Sequence, residues 1–222
     1  MDQFIWIKGP IDLAIAEYEE ALKINPDSAE ALHNLGNVYS SKGLWDKAIF
    51  YYKRSLEVRP DAPDVRCKLG NIYNEIGFVD EAINEYKMAL IIDPEHVQCN
   101  YNIGVAYDKK GLINEAIAYY KKALSAKSDY PQALSNLGII IIYAKMGRLE
   151  ESISLFKRAL NIDPDDTITL LNLGLAYEEL SKSYRQKDLI NKAIETYQKV
   201  LELDPENAQA KERMSGLKAK GN

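Results

Sequence analysis

Two glycine series run through the chain at the same step. Gly36, Gly70, Gly104, Gly138 and Gly174 are separated by 34, 34, 34 and 36 residues, and Gly9, Gly43, Gly77, Gly111 and Gly147 by the same intervals. Alanine keeps the step at Ala14, Ala48, Ala82 and Ala116, continued by Ser152 and Ala193. Proline keeps it at Pro26, Pro60, Pro94, Pro164 and Pro205, with Ser128 in the one missing place. A period of this length makes each unit a single supersecondary element. Such a unit cannot bury its own apolar face, so neighbours must stack into one continuous core.

Each full unit reads Leu-Gly-x-x-Tyr, a second Gly, Ala-x-x-x-Tyr-x-x-(Ala/Ser) and then Pro, most clearly from Asn34 to Pro60. Two helical stretches are predicted per unit, Ala29 to Lys42 and Trp45 to Val58 in the first full copy. Gly43 lies between them, where a left-handed turn costs glycine little. Asp46, Asp80, Asn114 and Asn191 are residue types suited to cap the second helices. The closing proline ends each unit, because the residue before it resists the helical region. Gly36, Ala48 and their copies keep the facing surfaces thin, and the recurring tyrosines, Tyr39 and Tyr52 among them, fill the space alongside.

These residues, five copies in step over about residues 9 to 207, resemble the tetratricopeptide repeat (TPR). The resemblance implies an all-α fold, a right-handed superhelical solenoid of antiparallel helix pairs, with first helices lining a concave face. The array is expected over 1–207, as a partial unit 1–28 and full units 29–62, 63–96, 97–130, 131–166 and 167–207. Residues 208–222 read as a capping helix and tail, with Ala210, Met214 and Leu217 on one face.

Three places depart from the pattern. Unit 131–166 has two extra residues between its glycines. An unbroken helix would put Ile141 in the tyrosine slot and turn Tyr143 toward the groove, whereas a π-bulge would return Tyr143 to the slot. The unbroken helix needs no backbone defect and is the expectation. Unit 167–207 has seven extra residues around 181–188, about one turn on each arm of a longer hairpin. At the N-terminus, Phe4, Ile5, Trp6 and Ile7 either cover the helix 11–25 or offer an edge for self-association.

The resemblance places ligand contacts on the first helices. The candidate peptide-binding residues are Asn34, Asn37, Lys68, Asn71, Tyr101, Asn102, Val105, Asn136, Ile139, Leu171, Asn172 and Leu175. Asn34, Asn102, Asn136 and Asn172 recur at one place, with Lys68 interrupting the row. A carboxamide donates and accepts, so such a row either holds the backbone of an extended peptide or has some of its members bonded to helix backbones of the next unit. Tyr101, Val105, Ile139, Leu171 and Leu175 make the later part more apolar, which marks a binding surface unless a terminal helix covers it. The row is also similar to the asparagine ladder of O-linked N-acetylglucosamine transferases, whose units share the string Asn-Leu-Gly-Asn seen at 34–37. The clamp for doubly anionic chaperone tails is not matched. Its best fit keeps Asn71 and Asn102 and loses all three cationic places.

The expected function is a non-catalytic protein–protein interaction scaffold that takes an extended or helical segment of a partner protein. The alternatives are a self-assembling subunit associating through the N-terminal edge, giving a homo-oligomer, and the substrate-binding arm of a larger glycosyltransferase-like protein. A formal charge of −5 gives no basic footprint, so no nucleic-acid partner is expected. The longest apolar run, Leu137 to Tyr143, falls far short of a membrane span. The two histidines, His33 and His96, stand in unrelated settings, and Cys67 and Cys99 read as packing thiols rather than a redox pair. There is no phosphate-binding glycine loop, and adjacent carboxylates such as Glu178 and Glu179 splay apart on a helix. No catalytic residue, cofactor or metal is expected. The absence of a secretory leader and of a disulfide framework points to a cytoplasmic setting.

Overall fold

The computed structural model describes residues 9–144, 147–184 and 186–221. Phe4 to Ile7, the expected self-association edge, lie outside the described residues, as does Arg185 within the 181–188 insertion. Among the described residues there are twelve helices and no strand. The chain divides into two compact units, 1–110 and 111–222.

The first unit holds α1 (Pro10–Ile24), α2 (Ala29–Ser41), α3 (Trp45–Val58), α4 (Pro63–Glu75), α5 (Val79–Ile92) and α6 (Val97–Lys109). Each helix packs on the next in sequence, and α4 also touches α6. The second unit holds α7 (Ile113–Ala126), α8 (Pro131–Tyr143), α9 (Leu149–Ile162), α10 (Thr167–Tyr184), α11 (Lys187–Leu203) and α12 (Ala208–Gly221). It repeats the scheme, with α8 touching α10.

The glycine–tyrosine pairing sets the spacing inside each hairpin. A Cβ added at Gly36 would stand 2.4 Å from the Tyr52 ring, and one at Gly70 2.6 Å from the Tyr86 ring. Gly138 faces Phe156 at 2.7 Å and Gly174 faces Tyr197 at 2.4 Å in the same sense. The ring of the second helix therefore lies directly on the backbone of the first. Ala48, Ala82 and Ala193 are fully buried beside these contacts. Ser152, which takes the alanine place in α9, is also buried, and its hydroxyl donates to the Gly138 carbonyl at 2.8 Å.

The second helices begin differently from the sequence expectation. Asp46, Asp80 and Asn114 are not caps; Leu44, Phe78 and Leu112 hold those positions and make no side-chain cap bond. The reason lies in the preceding turn. Gly43 adopts φ +68°, its N–H donates to the Ser40 carbonyl, and the Leu44 N–H donates back to Tyr39 at 2.9 Å. That is a Schellman closure of α2, whose last residue is favourably apolar. Leu44 thus ends one helix and starts the next, which leaves Asp46 in the first turn of α3, where a carboxylate suits the helix dipole. Asp80, in the equivalent place in α5, pairs with Lys110. Asn191 sits farther in, at the fifth residue of α11, behind Gln186 as cap.

The two irregular units resolve simply. Helix α8 runs unbroken, with Ile141 at 1% exposure and Tyr143 at 73%. Helices α10 and α11 reach 18 and 17 residues against 13 and 14 in the hairpin α8–α9. At the end, α12 packs on α11, burying Ala210 and Leu217 in the core of the second unit, with Met214 against them.

Candidate functional site

The first helices of unit 1, α2, α4 and α6, carry a polar face that is tied to the core beneath it. Tyr52 on α3 passes between the helices and donates its hydroxyl to Asn37 Oδ1 at 2.8 Å. Tyr86 on α5 does the same to Asn71 Oδ1, also at 2.8 Å. Asn71 Oδ1 accepts a second bond from Asn102 Nδ2 at 2.7 Å, which links α4 to α6. Lys109 donates to Asn74 Oδ1 at 3.1 Å one turn on. Asn102, of the recurring row, thus bonds the Asn71 side chain on the preceding first helix rather than a helix backbone.

A recess of about 300 Å³ opens on this face, lined by Asn37, Ser40, Ser41, Tyr52, Lys68 and Asn71. Lys68 is exposed, whereas Asn34, Asn37, Asn71, Tyr101, Asn102 and Val105 are half-buried. The His33 ring tilts against Tyr52 with centroids 6.0 Å apart, and its Nε2 is buried without a hydrogen-bond partner among the described residues. Burial, reinforced by the Lys68 charge, holds His33 below the ordinary histidine range. Burial also pushes the Tyr52 hydroxyl up to about 12, which keeps it a neutral donor.

In unit 2 the same positions change character together. Where α2 and α4 have Asn37 and Asn71 under a tyrosine, α8 has Ile139 and its ring is Phe156. Hydroxyl and amide are lost as a pair, which leaves no orphaned polar group. In α10 the position is Leu175, and the Tyr197 hydroxyl turns to Glu178 Oε2 at 3.3 Å. Arg213 on α12 donates to the same oxygen at 3.0 Å. Tyr120 accepts from Asn136 Nδ2 at 3.4 Å. Ile139, Leu171 and Leu175 do not stand out as a free apolar patch. They are half-buried and packed against the core cluster of this unit, because the stacked helices need their methyls to close it. Asn172 is half-buried beside them.

The apolar opening of unit 2 includes Leu175 and extends along α8 past Ile139. A cavity of about 480 Å³ is lined by Ile141, Ile142, Tyr143, Leu149 and Leu175 together with Glu179, Lys182 and Arg213. Lys182 pairs with Glu179 at 2.6 Å and with Glu178 at 3.3 Å. The outward turn of Tyr143 was legible from the two-residue insertion, but the place of Lys182 and Arg213 beside it was missed. Arg213 lies 35 residues after Glu178, as Lys109 does after Asn74, so a cap helix read simply as one more first helix would have placed it.

One grouping departs from the sequence reading. His96 is not isolated from the cysteines. Cys67, His96 and Cys99 each bring one donor atom within 4.8 Å of the others. Both thiols are buried and free. The hydrogen bond to Cys67, then burial, push the Cys99 thiol well above the usual thiol range. The signal was present as two short pairs, Asp64-x-x-Cys67 and His96-x-x-Cys99, at the starts of successive first helices.

Family models described as TPR repeat match residues 7–43, 70–111 and 142–181, more than half of the chain. Models described as tetratricopeptide repeat match 29–62, 97–130 and 174–207. A search of curated proteins finds no match. Among solved structures, YrrB, described as a TPR protein with an unusual peptide-binding site, is similar with a TM-score of 0.70 and 24% identity, covering 92% of this chain and 98% of that one. MamA is similar with a TM-score of 0.66 and 27% identity, covering 79% and 97%. PilF of Pseudomonas aeruginosa is similar with a TM-score of 0.79 and 19% identity, covering 93% and 90%. The repeat read in the glycines, the hairpins built on them and these matches agree, and the chain belongs to the tetratricopeptide repeat family.

Proposed function

We propose that this chain is a non-catalytic protein–protein interaction scaffold whose first-helix faces hold an extended or helical segment of a partner protein. The observation that carries the reading is the pinning of Asn37 and Asn71 by Tyr52 and Tyr86 on the wall of an open recess. With its carbonyl occupied twice, the Asn71 carboxamide has its N–H side to offer a peptide carbonyl. Its orientation is set before a ligand arrives, which lowers the ordering cost of binding. In unit 2, the cavity beside Tyr143 suits an apolar side chain, since Ile141, Ile142, Leu149 and Leu175 line it. YrrB, described as a TPR protein with an unusual peptide-binding site, shares the fold.

The test is an affinity capture comparing wild type with Asn71→Ala, Asn102→Ala and Tyr143→Ala combined, both proteins first shown to be equally helical. A partner held by wild type and released by the variant supports the reading. A partner held equally by both moves function off these faces. A second reading, self-association, is favoured by α1, which packs Ile15, Tyr18 and Leu22 on the core but leaves Ile11, Leu13 and Ile24 exposed. Light scattering over a concentration series tests it, and a constant one-chain mass ends it.

A further inference from the structure

Two helix starts converge in unit 1. Asp64 and Cys67 lie three residues apart in the first turns of α4; His96 caps α6, and Cys99 follows three residues later. The pairs face each other so that thiol meets thiol and Asp64 Oδ1 meets His96 Nε2 at 3.1 Å. We propose that Cys67, Cys99 and His96 form a binding site for one thiophilic divalent cation of the zinc class, with Asp64 as the positioning residue for the imidazole.

The donor set is two sulfurs and one imidazole, which selects a soft or borderline ion over magnesium or calcium. The spacing fits. Around a zinc ion at about 2.3 Å from sulfur, tetrahedral donors stand just under about 4 Å apart, so the observed group closes by about 1 Å at most. The hydrogen bonds of the imidazole favour one tautomer. Its Nδ1 accepts the Cys99 N–H at 3.3 Å, so its proton is on Nε2, toward the Asp64 carboxylate. That is the carboxylate–histidine arrangement that orients metal-bound imidazoles. The ion would take over the Nδ1 lone pair from the Cys99 N–H. Charge decides the valence. Two thiols lose two protons to solvent as two metal–sulfur bonds form, and two thiolates with a dication sum to zero in a site where the cysteines are 3% and 0% exposed. A monovalent ion such as copper(I) would leave a net negative charge beside Asp64. Three protein donors leave a fourth position for water. The bound ion would tie α4 to α6, the same pair of helices that Asn102 and Asn71 join about one turn farther along.

The experiment uses the full chain, reduced and stripped by a chelator, titrated with cobalt(II) as an optical probe and then with zinc(II). Expected are a near-ultraviolet sulfur-to-cobalt charge-transfer band, visible bands of four-coordinate cobalt, their displacement by zinc, and a zinc-dependent rise in melting temperature. Cys67→Ala and Cys99→Ala should each cut the charge-transfer band by at least half. Asp64→Ala should weaken zinc binding by about 10–100-fold. His96→Asn keeps a good capping residue for α6 while removing the ligand, so lost binding with retained helicity separates ligation from folding. The proposal is overturned if wild type binds cobalt no better than the double alanine variant. It is equally overturned if copper(I) is retained where zinc is not, or if air forms a Cys67–Cys99 disulfide while the reduced chain takes up no cobalt.

Discussion

The Tyr86 hydroxyl donates to the side-chain oxygen of Asn71 at 2.8 Å, from a ring that is itself fully buried against Gly70. One tyrosine therefore both spaces a helix hairpin and fixes an amide on its outer face. The chain contains the apolar version of the same pair in Phe156 and Ile139. Tyr86→Phe should cost about 1 kcal/mol, because Asn71 Oδ1 keeps only the Asn102 bond. Adding Asn71→Ile to Tyr86→Phe should recover part of that loss. A double-mutant cycle by urea unfolding should return a coupling of about 0.5–1.5 kcal/mol. A coupling near zero would show that the hydroxyl contributes nothing to the pair.

Glycine positions should respond with opposite signs. At Gly70 a Cβ would stand 2.6 Å from Tyr86 Cε1 and 2.8 Å from Cδ1, and Tyr86 is fully buried. Gly70→Ala should destabilise by about 1–3 kcal/mol through overpacking. In α12, a Cβ at Gly216 meets nothing within 4 Å. Gly216→Ala should stabilise by up to about 1 kcal/mol, since alanine is the better helix former. Shifts in the urea midpoints read both effects, and two shifts of the same sign would contradict the packing account.

The repeat was legible because its signal is positional. A glycine that meets a ring at 2.4 Å must recur wherever the ring recurs, so Gly36 and Tyr52 return as Gly174 and Tyr197. The cap assignment failed because Asp46 looks like a cap in isolation, while Leu44 is committed by two helices at once. The candidate amides were found, but not their hydrogen bonds. Whether Asn71 faces a peptide or Tyr86 depends on a side-chain distance across the hairpin, which no one-dimensional spacing contains. The approach of His96 to Cys67 escaped for a related reason, since the 32-residue offset between the cysteines differs from the period.

Stability should fall as pH is lowered through the histidine range. His33 is held below its ordinary value, chiefly by burial and then by the Lys68 charge. The folded chain therefore favours the neutral ring. On acidification the unfolded chain takes up its proton first, near pH ~6.5, so the unfolded state gains relative to the folded one. The stabilisation is fully present above that value and is lost as pH falls through the folded pKa. Urea midpoints measured from about one unit above to about one unit below the ordinary histidine value should decline, and His33→Gln should flatten the decline. A wild-type profile no steeper than that of the variant would assign the pH dependence elsewhere.

The end of the second unit depends on a charge shared between three helices. Glu178 on α10 is 12% exposed at its side chain and accepts from Tyr197 on α11 and Arg213 on α12. Lys182 stands 3.3 Å from its other oxygen, so the carboxylate keeps one cation if Arg213 is removed. Arg213 is itself 39% exposed, so solvent already screens part of the pair. Arg213→Ala should accordingly cost only about 1 kcal/mol overall. Its effect should be local, because Ala210 and Leu217 still anchor α12 while its central turn loses the link to α10. Hydrogen exchange should speed up at α12 amides and stay unchanged in α8 and α9. Uniform acceleration across the second unit would mean instead that the arginine supports the whole stack rather than its last helix.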